Sequence, residues 1–511
     1  MQQSISLSRL LALSLPLLGM LLLSAAQAQD QQQDKDVESG NNSIVFTDCI
    51  LRLPGTTLTA GAKCGSLLVA EDPAQSLAES GYNDSSRSIS LRIARIAASD
   101  PKQQADDPIF FFAGGPGQAA TESWPIVAGA LREANKHRDV ILVDQRGTGG
   151  SNKLQCALGE AEFVTDIDLD EIRQNTRECL AELHADPRFY TTTIAAGDIE
   201  AVRQALGLGQ INLIGVSYGT RAAQVYLRNY PEHVRSMVLD SVAPPQVLLG
   251  TEHAPMLDLA LQRIFSRCRE QKDCFDRFGD PAAALQKLQQ QLAVATPDLT
   301  LRMPTSGDLE TIPVTQDILA VAVRLLSYAS ETQALLPIVL EQAELGDWQP
   351  LATQALMQVG NLTDMLARGM EMSVICSEDV PFYPEALDHS DTLLGNTLLE
   401  VMRAQCEIWP RGEVPADFHQ PLDNDEVPVL LLSGEVDPVT PPRYAEQAAE
   451  QFARSAHWLI PGQGHSVLRH GCVPDKLAEF LHTPEPAAID KSCIDDIKAS
   501  PFFLTLLGPS P

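Results

Sequence analysis

Basic residues are scarce in this chain: 37 lysines and arginines face 67 aspartates and glutamates, giving a formal charge of −30. Such a surface repels phosphate backbones and anionic lipid, which excludes nucleic acid as a partner and leaves the charge a solubilising role. Long apolar runs are lacking as well. The stretch Leu10 to Leu23 falls short of the roughly 20 apolar residues a spanning helix needs, and it contains Pro16 and Gly19. Preceded by Arg9 and followed by Ala26-Gln27-Ala28, it reads as a secretory signal peptide over 1–28, cut after Ala28. No cysteine precedes Cys49, so no lipid-bearing cysteine stands at the cut. The expectation is an exported chain, periplasmic or secreted, with no membrane association after cleavage and a monomeric state favoured.

CxxC spacings are also missing, which removes the usual zinc and redox motifs; no metal or organic cofactor is expected. In an exported chain the ten cysteines then read as disulfides. They fall in close pairs, Cys49 with Cys64, Cys156 with Cys179, Cys268 with Cys274, Cys376 with Cys406, and Cys472 with Cys493. Neighbours are expected to bond, although spacing alone leaves the connectivity open.

Residues 29–43 are rich in Gln, Asp, Asn, Ser and Gly, the composition of a disordered leader. Beyond them, Ile89 to Ala97 alternates apolar and polar residues like a half-buried strand. Ile109 to Ala113 and Val140 to Val143 are short apolar runs, each ending in a Gly-rich turn, as buried parallel strands do. Asp198 is placed as an N-cap ahead of Ile199, Val202 and Leu206, with Gly207 and Gly209 stopping that helix. Strands at Ile211 to Val216 and Val234 to Leu239 flank a helix that runs from Thr220 to Pro231. This βαβ alternation implies a doubly wound, mostly parallel sheet.

From Pro244 to Asp425 the chain turns helical in character, for example over Ala282 to Leu292. Strand patterns return at Val427 to Leu432 and His457 to Ile460, around a helix-like segment from Pro442 to Phe452. The expected organisation is one α/β domain, 44–243 and 426–500, interrupted by a mainly helical cap over 244–425. Such a cap would lie over the C-terminal edge of the sheet, where ligands bind in doubly wound folds.

The chemistry is concentrated in a few short runs. Gly215-Val216-Ser217-Tyr218-Gly219 sits between a strand and a helix, the setting of a nucleophile elbow that exposes a serine hydroxyl. A serine hydroxyl needs a base to take its proton. Asp437, after the strand Val427 to Leu432, and His465, in Gly464-His465-Ser466, follow Ser217 in the order acid then base. Glu435 is the rival acid and His470 the rival base. An acyl-transfer site also needs N–H groups for an oxyanion. Tyr218 and Gly115, the latter in Gly114-Gly115-Pro116-Gly117, are the candidates. Asp144-Gln145-Arg146-Gly147-Thr148-Gly149-Gly150-Ser151 lacks the Lys-Ser/Thr ending of a phosphate loop. It reads as scaffold near the site, its charges paired locally.

Together these five regions resemble the proline iminopeptidase and tripeptidyl aminopeptidase family of α/β-hydrolases, over about residues 45 to 495. The signal peptide, large insertion and many cysteines look most like its secreted tripeptidyl aminopeptidase-like branch. Ala113 departs from the His that proline iminopeptidases carry before Gly-Gly-Pro-Gly. The resemblance implies a serine aminopeptidase that removes residues or short peptides from a free N-terminus. It further implies cap carboxylates for the substrate ammonium, for which Glu378 and Asp379 are the candidates. Two other readings stay open: a carboxylester hydrolase with the same Ser217, Asp437 and His465, and a catalytically silent binding protein. Epoxide hydrolases and haloalkane dehalogenases are excluded, because they need a carboxylate where Ser217 stands.

Overall fold

In a computed structural model, residues 44–75, 87–156, 167–303 and 306–509 are described. The expected signal peptide and leader lie outside them.

A sheet of nine strands organises these residues, in the order β1-β2-β3-β5-β4-β6-β7-β10-β11. Its strands are β1 (Thr47–Arg52), β2 (Thr59–Ala70), β3 (Ser88–Ile96), β4 (Ile109–Phe112), β5 (Val140–Val143), β6 (Ile211–Val216), β7 (Val234–Asp240), β10 (Val429–Gly434) and β11 (Ser455–Ile460). β1, β2 and β3 pair antiparallel, β3 joins β5 antiparallel, and from β5 through β11 every pairing is parallel. The edge hairpin of β1 and β2 is not among the expected strands; the positions of β2 that alternate inward are the small residues Ala60, Ala62 and Cys64.

The parallel strands are short and apolar because both faces are covered. Along β4 and β5 consecutive residues go to opposite faces. Phe110, Phe112, Ile141 and Val143 join one buried cluster, and Ile109, Phe111, Val140 and Leu142 join the other. Burial of each such side chain contributes about 1.5–3 kcal/mol.

The path of the chain fixes where a ligand can sit. From β4 it crosses to β5 on one side, then returns to β6 on the other, so β4 and β6 are neighbours whose outgoing connections diverge. The crevice beyond their C-terminal ends is a topological switch point. The loop after β4 is Ala113 to Gly117, and the residue after β6 is Ser217.

Between β7 and β10 the chain forms a run of helices that includes His253–Glu270, Pro281–Leu292, Gln316–Leu326, Gln349–Met365, Arg368–Glu378 and Thr397–Cys406. These build a hydrophobic cluster around residues such as Leu288, Leu319, Leu340 and Leu351, which reaches Val436 beside Asp437. The segment also holds a two-stranded hairpin, β8 (Asp298–Arg302) with β9 (Leu309–Pro313), within what the sequence pattern reads as helical. The cysteines form five disulfides, each between sequence neighbours: Cys49–Cys64, Cys156–Cys179, Cys268–Cys274, Cys376–Cys406 and Cys472–Cys493. Among the described residues no helix is long and apolar enough to cross a membrane.

Two local expectations need correction. Asp198 is not an N-cap. The helix starts earlier, at Thr192, capped by Thr191, and Asp198 lies inside it. A mid-helix aspartate is tolerated here because Arg146 holds both its oxygens, at 2.6 and 2.7 Å. For the same reason the charges of Asp144 and Arg146 do not pair with each other. Asp144 instead accepts hydrogen bonds from Thr121 N, Thr121 Oγ1 and Gly150 N.

Candidate active site

Ser217 occupies a turn that only a tight strand-to-helix junction produces. Its φ of 56° and ψ of −126° lie where non-glycine residues are strained, at a cost of about 1–3 kcal/mol. The surroundings impose that geometry. Ser217 N donates to the carbonyl of Asp240 at 2.9 Å, and Thr220 N donates to the Ser217 carbonyl at 2.9 Å. A Cβ on Gly215 would press into the Gly219 carbonyl, and one on Gly219 into the Phe112 carbonyl. Both glycines are therefore needed for strand and helix to meet so closely.

The helix Tyr218–Asn229 begins directly after Ser217, so its first N–H groups have no partner within the helix and point toward the switch point. Gly114 leans on Ser217, since a Cβ there would stand 3.1 Å from Ser217 Cβ. Gly115 has φ 107°, a value that favours glycine, and precedes a cis bond to Pro116. The side chain of Tyr218 turns inward and is only 1% exposed. Its hydroxyl accepts from Gln145 Nε2 at 3.1 Å and bonds Thr192 Oγ1 at 2.6 Å. Those bonds pin the residue whose backbone N–H was the oxyanion candidate.

Asp437 and His465 are brought together by the loops after β10 and β11. Asp437 Oδ2 lies 2.9 Å from His465 Nδ1. Asp437 Oδ1 accepts from Val439 N and Thr440 N, both at 2.9 Å, and Thr440 Oγ1 donates to Oδ2 at 2.8 Å. Burial alone would push the Asp437 carboxyl up. The facing imidazole and these N–H donors outweigh it and hold the group below the usual carboxylate value. Burial likewise opposes charge on His465, but the Asp437 carboxylate, with Asp240 behind it, raises its pKa above the ordinary 6.5. Glu435, the rival acid, instead accepts from Gly462 N at 2.8 Å. The rival base His470 lies beyond the turn, and burial lowers its pKa.

The inserted helices hold the histidine in turn. His465 N donates to the Tyr328 carbonyl at 2.6 Å, and the Tyr328 ring meets the imidazole edge-on at 5.5 Å. Ser217, His465, Gly114, Gly115 and Tyr218 line one cavity of about 730 Å³, whose remaining wall comes largely from the insertion.

Glu378 and Asp379 are not on that wall, which corrects the expectation that they meet a substrate ammonium. Both are fully buried. Asp379 is held by Arg221 Nη1 at 3.0 and 3.1 Å and by Leu249 N at 2.8 Å. Glu378 accepts from Thr192 N at 2.6 Å and Thr192 Oγ1 at 2.8 Å. Arg221 belongs to the helix that starts at Tyr218, so the two carboxylates brace that helix against Arg368–Glu378. Neither residue lines the cavity, and both carboxylates are already held by donors of the protein.

Sequence reasoning missed Asp240. Its carbonyl takes the Ser217 N–H, while its carboxylate accepts from Val467 N at 2.9 Å, Leu468 N at 3.0 Å and Ser466 Oγ at 3.1 Å. One residue thus ties the serine turn to the histidine loop. Burial pushes its carboxyl up to about 6 against those donors. The only local signal was an acidic residue at the C-terminal end of an apolar strand.

Fold and site together define an α/β hydrolase of the serine hydrolase class. Residues 107–323 match the family described as alpha/beta hydrolase fold, and residues 391–493 match TAP-like protein. The tripeptidyl aminopeptidase of Streptomyces coelicolor is 30% identical over 444 residues, covering 80% of this chain and 80% of that one. That of Streptomyces lividans is 25% identical over 443 residues, again covering 80% of each. Serine protease Hip1 of Mycobacterium tuberculosis is 26% identical over 220 residues, 40% of each chain. The chain belongs to the tripeptidyl aminopeptidase family of α/β hydrolases.

Proposed function

We propose that this is an exported serine aminopeptidase that cleaves peptides near a free N-terminus through an acyl-enzyme on Ser217. The observation that carries the reading is the Asp437–His465 pair at 2.9 Å, with His465 on the same cavity as the strained Ser217. His465 Nε2 takes the Ser217 proton as Oγ attacks the scissile carbonyl. The oxyanion meets the N–H groups of Tyr218 and Gly115. As the tetrahedral adduct collapses, the C–N bond breaks and His465 gives its proton to the departing amine. Water then enters, loses a proton to His465 and releases the acyl group, restoring Ser217. Asp437 keeps Nδ1 protonated throughout and stabilises the imidazolium. Five disulfides and the N-terminal signal pattern support export.

With Glu378 and Asp379 occupied elsewhere, the carboxylates on the cavity wall are Asp317 and Glu371, the latter paired with Arg368. Matched peptides with free and acetylated N-termini test the reading. Acetylation is expected to abolish cleavage, whereas equal cutting of blocked peptides replaces the aminopeptidase by an endopeptidase. Turnover of short acyl esters without any amide cleavage favours the esterase.

The pH profile is a second check. The base works only as neutral imidazole, and the charge of Asp437 raises its pKa. Activity is therefore lost as pH falls through a value above the ordinary 6.5. The acid limb of kcat/KM, measured with an arylamide, should lie above that value and move down in Asp437→Asn. A wild-type limb below it contradicts the assigned pair.

A further inference from the structure

The charged residues on the cavity wall are distributed unevenly. Arg324, Arg368, Arg469, Asp317 and Glu371 line it, so cations outnumber anions there although the chain as a whole carries −30. Arg368 is paired with Glu371. Arg324 and Arg469 form no ion pair among the described residues.

Both unpaired guanidinium groups belong to segments that hold His465. Arg324 lies at the end of the helix Gln316–Leu326, four residues before Tyr328, whose carbonyl takes the His465 N–H and whose ring packs on the imidazole. Arg469 follows His465 by four residues on its own loop, at the exposed rim. Arg324 is near enough to His253, another cavity residue, for its charge to act on that imidazole. Burial, and then the charges of Arg324 and His465, push that imidazole down to about 3, so it stays neutral and supplies neither counter-charge nor competitor. The His253 Nδ1 has no hydrogen-bond partner.

In serine acyl transfer the leaving amine departs on the side of the base, because the base protonates it. A half-buried guanidinium on that side, without a counter-ion, is poised for an anion carried by the leaving group. A carboxylate suits its planar fork of donors, and a charge-assisted pair there is stronger than a neutral one. We propose that Arg324, with Arg469 at the rim, forms a carboxylate subsite on the leaving-group side, so that the enzyme prefers peptides whose departing portion ends in a free carboxylate. This rests on the serine peptidase reading and deepens it: the substrates are short peptides recognised at both ends, not the interior of folded proteins. Arg324 is then a specificity residue, not part of the proton relay.

Two series of peptides with free N-termini test it, one ending in carboxylate and one in carboxamide, with one, two or three residues beyond the cleaved bond. Wild type should favour the carboxylate by at least about tenfold in kcat/KM at one or more of these lengths. Arg324→Gln should bring that ratio below about twofold, chiefly by loss on the carboxylate series, and Arg324→Lys should retain part of it. A wild-type ratio near one at all three lengths overturns the subsite. So does an equal fall of both series in Arg324→Gln. If no peptide of either series is cut while Ser217 still takes a fluorophosphonate, the peptidase reading itself fails, and the subsite with it.

Discussion

Ser217→Ala is expected to lower kcat by about 10⁴-fold or more on any amide substrate, with folding intact. The hydroxyl points out of the turn, and no bond that shapes the turn involves it: Ser217 N binds the Asp240 carbonyl and Ser217 O binds Thr220 N and Thr220 Oγ1. Removing Oγ takes away the nucleophile and little else. The sharper measurement combines it with His465→Ala. Residues that act as one unit are lost once, so the double variant should be no slower than either single one. Fluorophosphonate labelling should vanish in Ser217→Ala and fall steeply in His465→Ala. If the two losses multiply instead, Ser217 and His465 act separately and the proposed relay is wrong.

The second large effect belongs to stability. Asp379→Ala removes the main partner of Arg221, whose side chain is fully buried. A buried guanidinium left with the Val247 carbonyl and with Glu378 3.8 Å away is expected to cost about 3–5 kcal/mol. Denaturant unfolding followed by fluorescence reads this as a lower midpoint with an unchanged slope. The same variant separates two accounts of the Glu378–Asp379 pair. As a structural brace, its loss weakens the fold and changes KM for free-N-terminus peptides little in the molecules that remain folded. As an ammonium receptor, it would leave the midpoint in place and raise KM for those peptides alone.

These two predictions also mark where sequence reasoning works. The serine turn is legible because its causes are local: two glycines, an apolar strand before and a helix after. Asp437 and His465 are legible because each lies just beyond an apolar strand, in the chain order that places both at the same sheet edge. The parallel strands show themselves as apolar runs, since both their faces are buried. What stayed hidden depends on distant partners. Asp198 looks like a cap until Arg146, 52 residues away, claims both its oxygens. Asp379 looks like an acid available to substrate until Arg221, 158 residues away, is found against it. Asp240 lacks a local motif altogether, because its partners lie on a loop 226 and more residues later. The hairpin β8–β9 stayed hidden inside a mainly helical region for a related reason: Asp298–Arg302 does alternate, but each strand is only five residues long and mostly exposed, so its pairing depends on the partner strand.

The bond from His465 N to the Tyr328 carbonyl has a consequence for timing. The ribosome delivers Ser217 long before it delivers the insertion, β10 and β11. A nascent chain therefore carries its serine turn while the histidine loop has neither its strands nor the carbonyl that positions it. On the proposed reading, hydrolytic competence is the last property the chain acquires during folding. Partly folded copies cannot trim neighbouring polypeptides, and no removable inhibitory segment is needed to keep them silent.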